Sequence, residues 1–202
     1  MKKILGLLSA FALMGSVYAQ SGTLALGTSF PDQPYHTTDV FTMKDITLRQ
    51  ASTKKGLLVV FTCNTCPFVI RNIDRTKEIL DFAKEKGVGV MMVNSNEAQR
   101  NDADAVDKMI EFGKKQGYPN YYVDKNSNLA DIFGASHTPE VFLFDGKTET
   151  LIYKGAMDDS PSDPKSAKVM YLKNAITNML AGKTINPAET KSVGCSIKRV
   201  KS

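Results

Sequence analysis

The sequence has no tryptophan, only two histidines, His36 and His137, and only three cysteines, Cys63, Cys66 and Cys195. Two histidines exclude a histidine-rich metal centre. Three cysteines in 202 residues exclude a small disulfide-stapled scaffold, and a chain of this length buries enough core to fold without staples. No apolar run reaches the about 20 residues of a membrane helix. A mean hydropathy of −0.22 excludes a polytopic membrane protein. Neither sign of charge dominates. The 26 basic and 21 acidic residues are interspersed, and a net charge of +5 is too mild to imply nucleic acid. There is no internal repeat and no low-complexity segment. Hydrophobic and charged fractions of 42% and 23% are those of one ordinary soluble domain.

What is present begins with an address. Lys2 and Lys3 precede an apolar stretch from Ile4 to Met14, and Val17-Tyr18-Ala19 offers small residues at the −3 and −1 positions before Gln20. Residues 1–19 therefore read as a secretory signal peptide, 20–182 as the folded domain and 183–202 as a C-terminal tail. No cysteine follows the apolar stretch, so no lipid anchor and no stable membrane anchor are expected after cleavage. The expected location is a bacterial periplasm or beyond, where disulfides persist.

Residues 20–38 look like an extended arm. Val40–Met43 alternates weakly enough for a strand, with Ile46 and Leu48 in a second short one. Leu57–Phe61 is a continuous apolar run, the mark of a central strand buried on both faces. A single helix is expected from about Cys66 to Lys86, stopped by Gly87. A strand over Val88–Val93, a helix over 103–116, a short strand at 121–123 and a short helix over 127–133 follow. Strands at 141–144 and 150–153 flank Asp145-Gly146-Lys147 as a hairpin, and a helix over 167–180 ends at Gly182. The order β-α-β-α-β-α-β-β-α implies an α/β domain, a central mixed sheet flanked by helices on both faces.

Phe61-Thr62-Cys63-Asn64-Thr65-Cys66-Pro67 places a C-x-x-C between a buried strand and a helix. At a helix mouth Cys63 meets unpaired N–H groups and the positive dipole end, which favour thiolate, so its pKa is expected below about 8.5. Cys66 lies one turn on and can close a small disulfide. Pro67 suits the first helical turn, where its missing N–H costs nothing. A thiolate nucleophile and a resolving thiol are the minimum for dithiol–disulfide exchange. Haem attachment needs histidine after the second cysteine, where this chain has Pro67. A structural zinc site needs four ligands, and only Cys195 and His137 remain. Downstream, Ser136-His137-Thr138-Pro139-Glu140 puts a proline at the start of a strand. That is a place for a cis peptide or for an ordinary strand beginning.

Strand-CxxC-helix followed by Thr-Pro-strand-hairpin-helix resembles the thioredoxin fold. The blocks Cys63–Val69, Val93–Asn96, Thr138–Asp145, Tyr153–Asp159 and Val193–Lys198 resemble the redoxins, the peroxiredoxin-like group of the alkyl hydroperoxide reductase/thiol-specific antioxidant superfamily. The resemblance implies that Pro139 is cis and faces the dithiol, and that Thr138 offers backbone groups to a substrate chain. It aligns the peroxidatic cysteine of true peroxiredoxins with Cys66 and puts Cys63 where they carry threonine or serine. Their downstream arginine has no counterpart around Thr138–Asp145, which counts against fast peroxidase activity.

The expected function is thus thiol–disulfide exchange through a redox-active Cys63–Cys66 pair, with Thr138 and Pro139 at the substrate. The substrate is a protein or small-molecule disulfide or thiol, and a further redox partner resets the pair. No organic cofactor or metal is required, because the dithiol itself carries two electrons. A thiol peroxidase using the same cysteines is the first alternative. A copper carrier using Cys63, Cys66 and His137 is the second. Two accessory residues stand beside the pair. Cys195, the odd cysteine, either engages the active site or packs as a small apolar residue in the tail. Glu140 either relays the dithiol proton or faces solvent. Asp158 and Asp159 read as a turn or a cap.

Overall fold

The computed structural model describes residues 22–32 and 34–200, so the expected signal at 1–19 lies outside the described residues. In chain order the elements are β1 (Thr37–Asp39), α1 (Leu48–Ala51), β2 (Leu57–Phe61), α2 (Pro67–Arg71), α3 (Ile73–Glu85), β3 (Gly89–Asn94), α4 (Val106–Gln116), β4 (Tyr122–Asp124), α5 (Asn128–Phe133), β5 (His137–Thr138), β6 (Glu140–Phe144), β7 (Leu151–Gly155), α6 (Tyr171–Leu180) and β8 (Cys195–Ser196). Six strands form one sheet in the order β1-β4-β3-β2-β6-β7. The pairs β2–β3 and β3–β4 are parallel, and the other three are antiparallel. This is the α/β thioredoxin-like arrangement, a mixed sheet between helices.

Every residue of β2 is buried, as its unbroken apolar run requires. Because successive side chains leave a strand on opposite faces, Leu58 and Val60 join one core with α3, α4 and α6. Leu57, Val59 and Phe61 join the other with α1 and α5. The second core is aromatic, with Phe61, Phe133 and Phe142 meeting edge to face at centroid separations of 4.9–5.6 Å. Each such side chain contributes about 1.5–3 kcal/mol by leaving water. Together they fix the end of β2, where the site begins.

Several expected elements differ from those observed. The strand expected at Val40–Met43 is instead β1 at Thr37–Asp39 followed by a tight turn, with Met43 at φ 58°. The strand expected at Ile46 and Leu48 is replaced by α1. Thr47-Leu48-Arg49-Gln50 is a capping box, in which the Thr47 hydroxyl accepts from Gln50 N (3.2 Å) and Gln50 Oε1 accepts from Thr47 N (2.9 Å). The helix expected over 66–86 is broken at Asn72. The Asn72 side-chain amide donates to Phe68 O (2.8 Å) and Pro161 O (2.9 Å), and its backbone at φ −98°, ψ 13° separates α2 from α3. α6 starts at Tyr171 rather than 167. Asp159 Oδ1 accepts from the N–H groups of Lys168 (2.9 Å) and Val169 (3.1 Å), which keeps that stretch out of the helix.

The tail is a structural element and not a loose end. Along β7, Thr190 N donates to Lys154 O (3.0 Å) and Lys154 N to Ala188 O (3.1 Å). Farther on, β8 pairs antiparallel with β5, His137 opposite Ser196 and Thr138 opposite Cys195.

Candidate active site

β2 delivers Cys63 just past its end, and Cys66 is the N-cap residue of α2 with Pro67 at the first position. Both cysteines are buried, 2% and 4% exposed. Across from them, the peptide bond between Thr138 and Pro139 is cis, as the resemblance implied. The Cys63 Sγ lies 3.3 Å from Thr138 Oγ1. The Cys66 Sγ lies 3.2 Å from Thr138 O, a bond its thiol can donate once reduced. Cys63, Cys66 and Val69 pack as one cluster, with Phe68, Phe112 and Cys195 against it.

The disulfide in this site is not the expected one. Cys66 is bonded to Cys195, with the two Cα atoms 6.0 Å apart, and Cys63 is a free, buried thiol. The reason is tertiary. Pairing of β8 with β5 sets Cys195 beside Thr138, whose carbonyl already touches the Cys66 sulfur. The expectation of a depressed Cys63 pKa is also corrected. Burial pushes the thiol up. The Thr138 hydroxyl and the N–H groups of Cys66 and Thr65 pull the other way without winning, and the Asp104 carboxylate adds to the rise.

A buried polar network holds the loop between the cysteines. Asp104 is fully buried, and its Oδ1 accepts from Asn64 N (2.9 Å) and Asn94 Nδ2 (2.7 Å). Its Oδ2 accepts from Asn96 Nδ2 (2.9 Å). Tyr121 donates its hydroxyl to Asn64 Oδ1 (3.0 Å) and accepts from Asn94 Nδ2 (3.1 Å). Asn96 Oδ1 in turn accepts Lys198 N of the tail (2.8 Å), so one amide bridges the network and the tail. Sequence reasoning missed Asp104 and Tyr121. The signal was Asn94-Ser95-Asn96, three polar residues closing a buried strand that must find partners. Tyr118 lies beside this network, and burial pushes its hydroxyl up to about 12.

The other expected residues are placed as follows. Cys195 is bonded to Cys66. Glu140 is buried, but its Oε2 accepts from the N–H groups of Ser136 (2.8 Å) and His137 (3.0 Å), so the carboxylate organises the turn before the cis proline. His137 Nδ1 is bonded to Ser136 Oγ (2.7 Å) and not turned to a sulfur. Among the described residues no group of three or more histidine, cysteine or acidic side chains is arranged to hold a metal ion. Asp158 forms a buried ion pair with Arg75 of α3, and Asp159 holds the chain before α6.

The arrangement is an intramolecular disulfide laid across the cis proline. An extended strand lies antiparallel to the residue before a cis proline, and its cysteine is bonded to a helix-start cysteine with a second thiol in the same cluster. The redoxin family profile matches residues 26–170. A hypothetical protein of Sinorhizobium meliloti is similar at 29% identity and TM-score 0.79, over 92% of this chain and all of that one. An uncharacterized conserved protein of Geobacillus kaustophilus is similar at 27% identity and TM-score 0.81, over 94% and 100%. A thioredoxin-like protein solved in its oxidized form shares the fold at 19% identity and TM-score 0.61, over 79% and 99%. No curated protein sequence matches the chain. Geometry and comparisons agree on a thiol-based redox site.

Proposed function

Since this chain belongs to the redoxin family, we propose that it is an exported thiol–disulfide oxidoreductase whose two electrons reside in the Cys63–Cys66 dithiol. In the reducing direction the pair gives both electrons to a disulfide and becomes a Cys63–Cys66 disulfide. An external thiol partner then restores it. Oxidation of a dithiol runs the same steps backwards. The sulfur-bearing strand in the exchange is held beside Thr138 and Pro139. The observation that carries the reading is β8 itself, seated on Thr138 with its cysteine bonded to Cys66. Export is supported by the charged and then apolar sequence of residues 1–19. The test is reduction of a model protein disulfide by wild type, Cys63→Ser and Cys66→Ser. Both substitutions are expected to abolish turnover, and retained turnover in both overturns the reading.

A second reading rests on the same bond. In a peroxidase, Cys66 thiolate attacks a peroxide and becomes sulfenic acid, with an alcohol or water leaving. The Cys195 thiol then condenses with it to the observed disulfide, releasing water. The guanidinium groups argue against it. Arg100 is bonded to Asn94 O (2.9 Å), Asp104 O (2.8 Å) and the Met109 sulfur (2.8 Å), and Arg75 to Asp158, so neither is bonded to a cysteine sulfur. Hydrogen peroxide consumption by the same variants separates the two.

A further inference from the structure

Cys195 is the most exposed of the three cysteines; it is half-buried, whereas Cys63 and Cys66 are buried. Contacts other than the disulfide also hold the strand that carries it. Upstream, Thr190 is stitched to β7, and its Oγ1 accepts from Ala156 N (2.9 Å). Downstream, Ile197 is buried in the aromatic core, and its N–H donates to Ser136 O (3.0 Å). Lys198 N donates to Asn96 Oδ1 (2.8 Å), and Lys198 O accepts from Ala98 N (2.9 Å). Arg199 Nη2 donates to Ala135 O (2.7 Å). Gly194 lies so close to the Thr138 backbone that a Cβ there would stand 2.1 Å from Thr138 O, so only glycine permits this approach. A strand anchored on both sides of its cysteine stays docked when the cysteine is reduced, and it keeps β5 covered.

We propose that Cys195 is the outer port of a three-cysteine relay, the sulfur that meets external disulfides and passes electrons outward from the inner pair. The proposal rests on the exchange function above and adds where substrate engages. In the reducing direction, Cys195 thiolate attacks an external disulfide and one external thiol leaves. Cys66 thiolate attacks the Cys195 sulfur, the second external thiol having been bound there, so that thiol leaves and the Cys66–Cys195 bond forms. Cys63 thiolate then attacks the Cys66 sulfur, and Cys195 leaves as thiolate and takes up the proton Cys63 gave up. The sum is one external disulfide reduced to two thiols and the inner pair oxidised to Cys63–Cys66. The structure shows the middle state, with the Cys66–Cys195 bond closed and Cys63 still a thiol within the cluster. The substrate class is an exposed disulfide that can reach a sulfur on a covered edge, without itself adding a strand to β5.

The test uses oxidised glutathione as probe on the full chain, with rapid acid quench and peptide mass mapping. In Cys63→Ser/Cys66→Ser the glutathione adduct is expected on Cys195. In Cys195→Ser exchange with a model protein disulfide is expected to fall at least about tenfold, while diamide still closes Cys63–Cys66. Amide protection at Ile197 and Lys198 is expected to persist in Cys195→Ser. Adducts on Cys63 or Cys66 in wild type with Cys195 unmodified, or wild-type exchange by Cys195→Ser, overturn the port and leave the exchange function standing. Loss of protection at Ile197 and Lys198 overturns the independent anchoring, and the relay with it. Absence of exchange in wild type overturns both.

Discussion

The segment carrying Cys63 and Cys66 and the tail carrying Cys195 meet at one disulfide but are built by opposite means. The first is placed by local rules: a buried strand ends, a proline opens a helix, and two cysteines fall at the junction. A buried carboxylate then locks the loop from beneath. The tail has only a two-residue strand, and it is placed by contacts with β5, β7 and the 96–98 turn, all distant in sequence. The lesson is that one cysteine of a disulfide can be placed by local structure, while its partner is supplied by docking a distant segment. Local opening of the tail should cost less than global unfolding, because few buried contacts hold it.

The largest effect expected is that of Cys66→Ser. Cys66 is the sulfur common to the observed Cys66–Cys195 disulfide and the proposed Cys63–Cys66 one, so exchange with a model protein disulfide should fall by on the order of 100-fold or more. Stopped-flow assay reads this directly. If Cys66→Ser exchanges normally, the two regions do not communicate through sulfur. Next is Asp104→Ala, which strips the acceptor from Asn64 N, Asn94 and Asn96. Several orphaned buried donors should cost roughly 3 kcal/mol in urea unfolding, with Asp104→Asn costing less.

Ile197→Ala should act on the tail alone. It costs about 2 kcal/mol or more where it acts, read as faster amide exchange over 195–199 with core strands unchanged. Equal loss across the core would show that the tail and the domain unfold as one unit, and the contrast would fail.

The pH dependence sharpens the comparison for Cys63. Burial holds its thiol pKa above the ordinary value, so the native state keeps a proton that the unfolded chain releases. The stabilising contribution is complete below the unfolded thiol pKa. It is lost as pH rises through the folded value. Stability should therefore decline on the alkaline side, and Cys63→Ser should flatten that decline. Alkylation of Cys63 by iodoacetamide should level off at a higher pH than for an ordinary thiol. The smallest effect is that of Arg199→Ala. Its carboxylate partner is the exposed Asp131, so that ion pair contributes about 0.5 kcal/mol or less. Any larger loss belongs to its bond with Ala135 O.

Much of this was legible in the sequence. The apolar run of β2, the C-x-x-C at a helix start and Thr138-Pro139 before β6 follow from composition and spacing, and the family resemblance anticipated the cis bond at Pro139. The capping box at Thr47–Gln50 was legible too, yet the apolar Ile46 and Leu48 read as a strand. Asn72 was opaque, because its break depends on Pro161, far along the chain. Glu140 beside the proline suggested a proton relay, but two backbone N–H groups of its own turn claim the carboxylate.

By itself the sequence determined an α/β domain with two cysteines at a strand-to-helix junction, because periodicity, helix stops and cysteine spacing are local properties. Only the tertiary structure decided which cysteines are bonded, that Cys63 is buried enough to stay a thiol, and that Asp104 and Asn96 join the loop to the tail. Those outcomes depend on pairings across long stretches of chain. A strand as short as β8 has no pattern of its own from which its partner could be read.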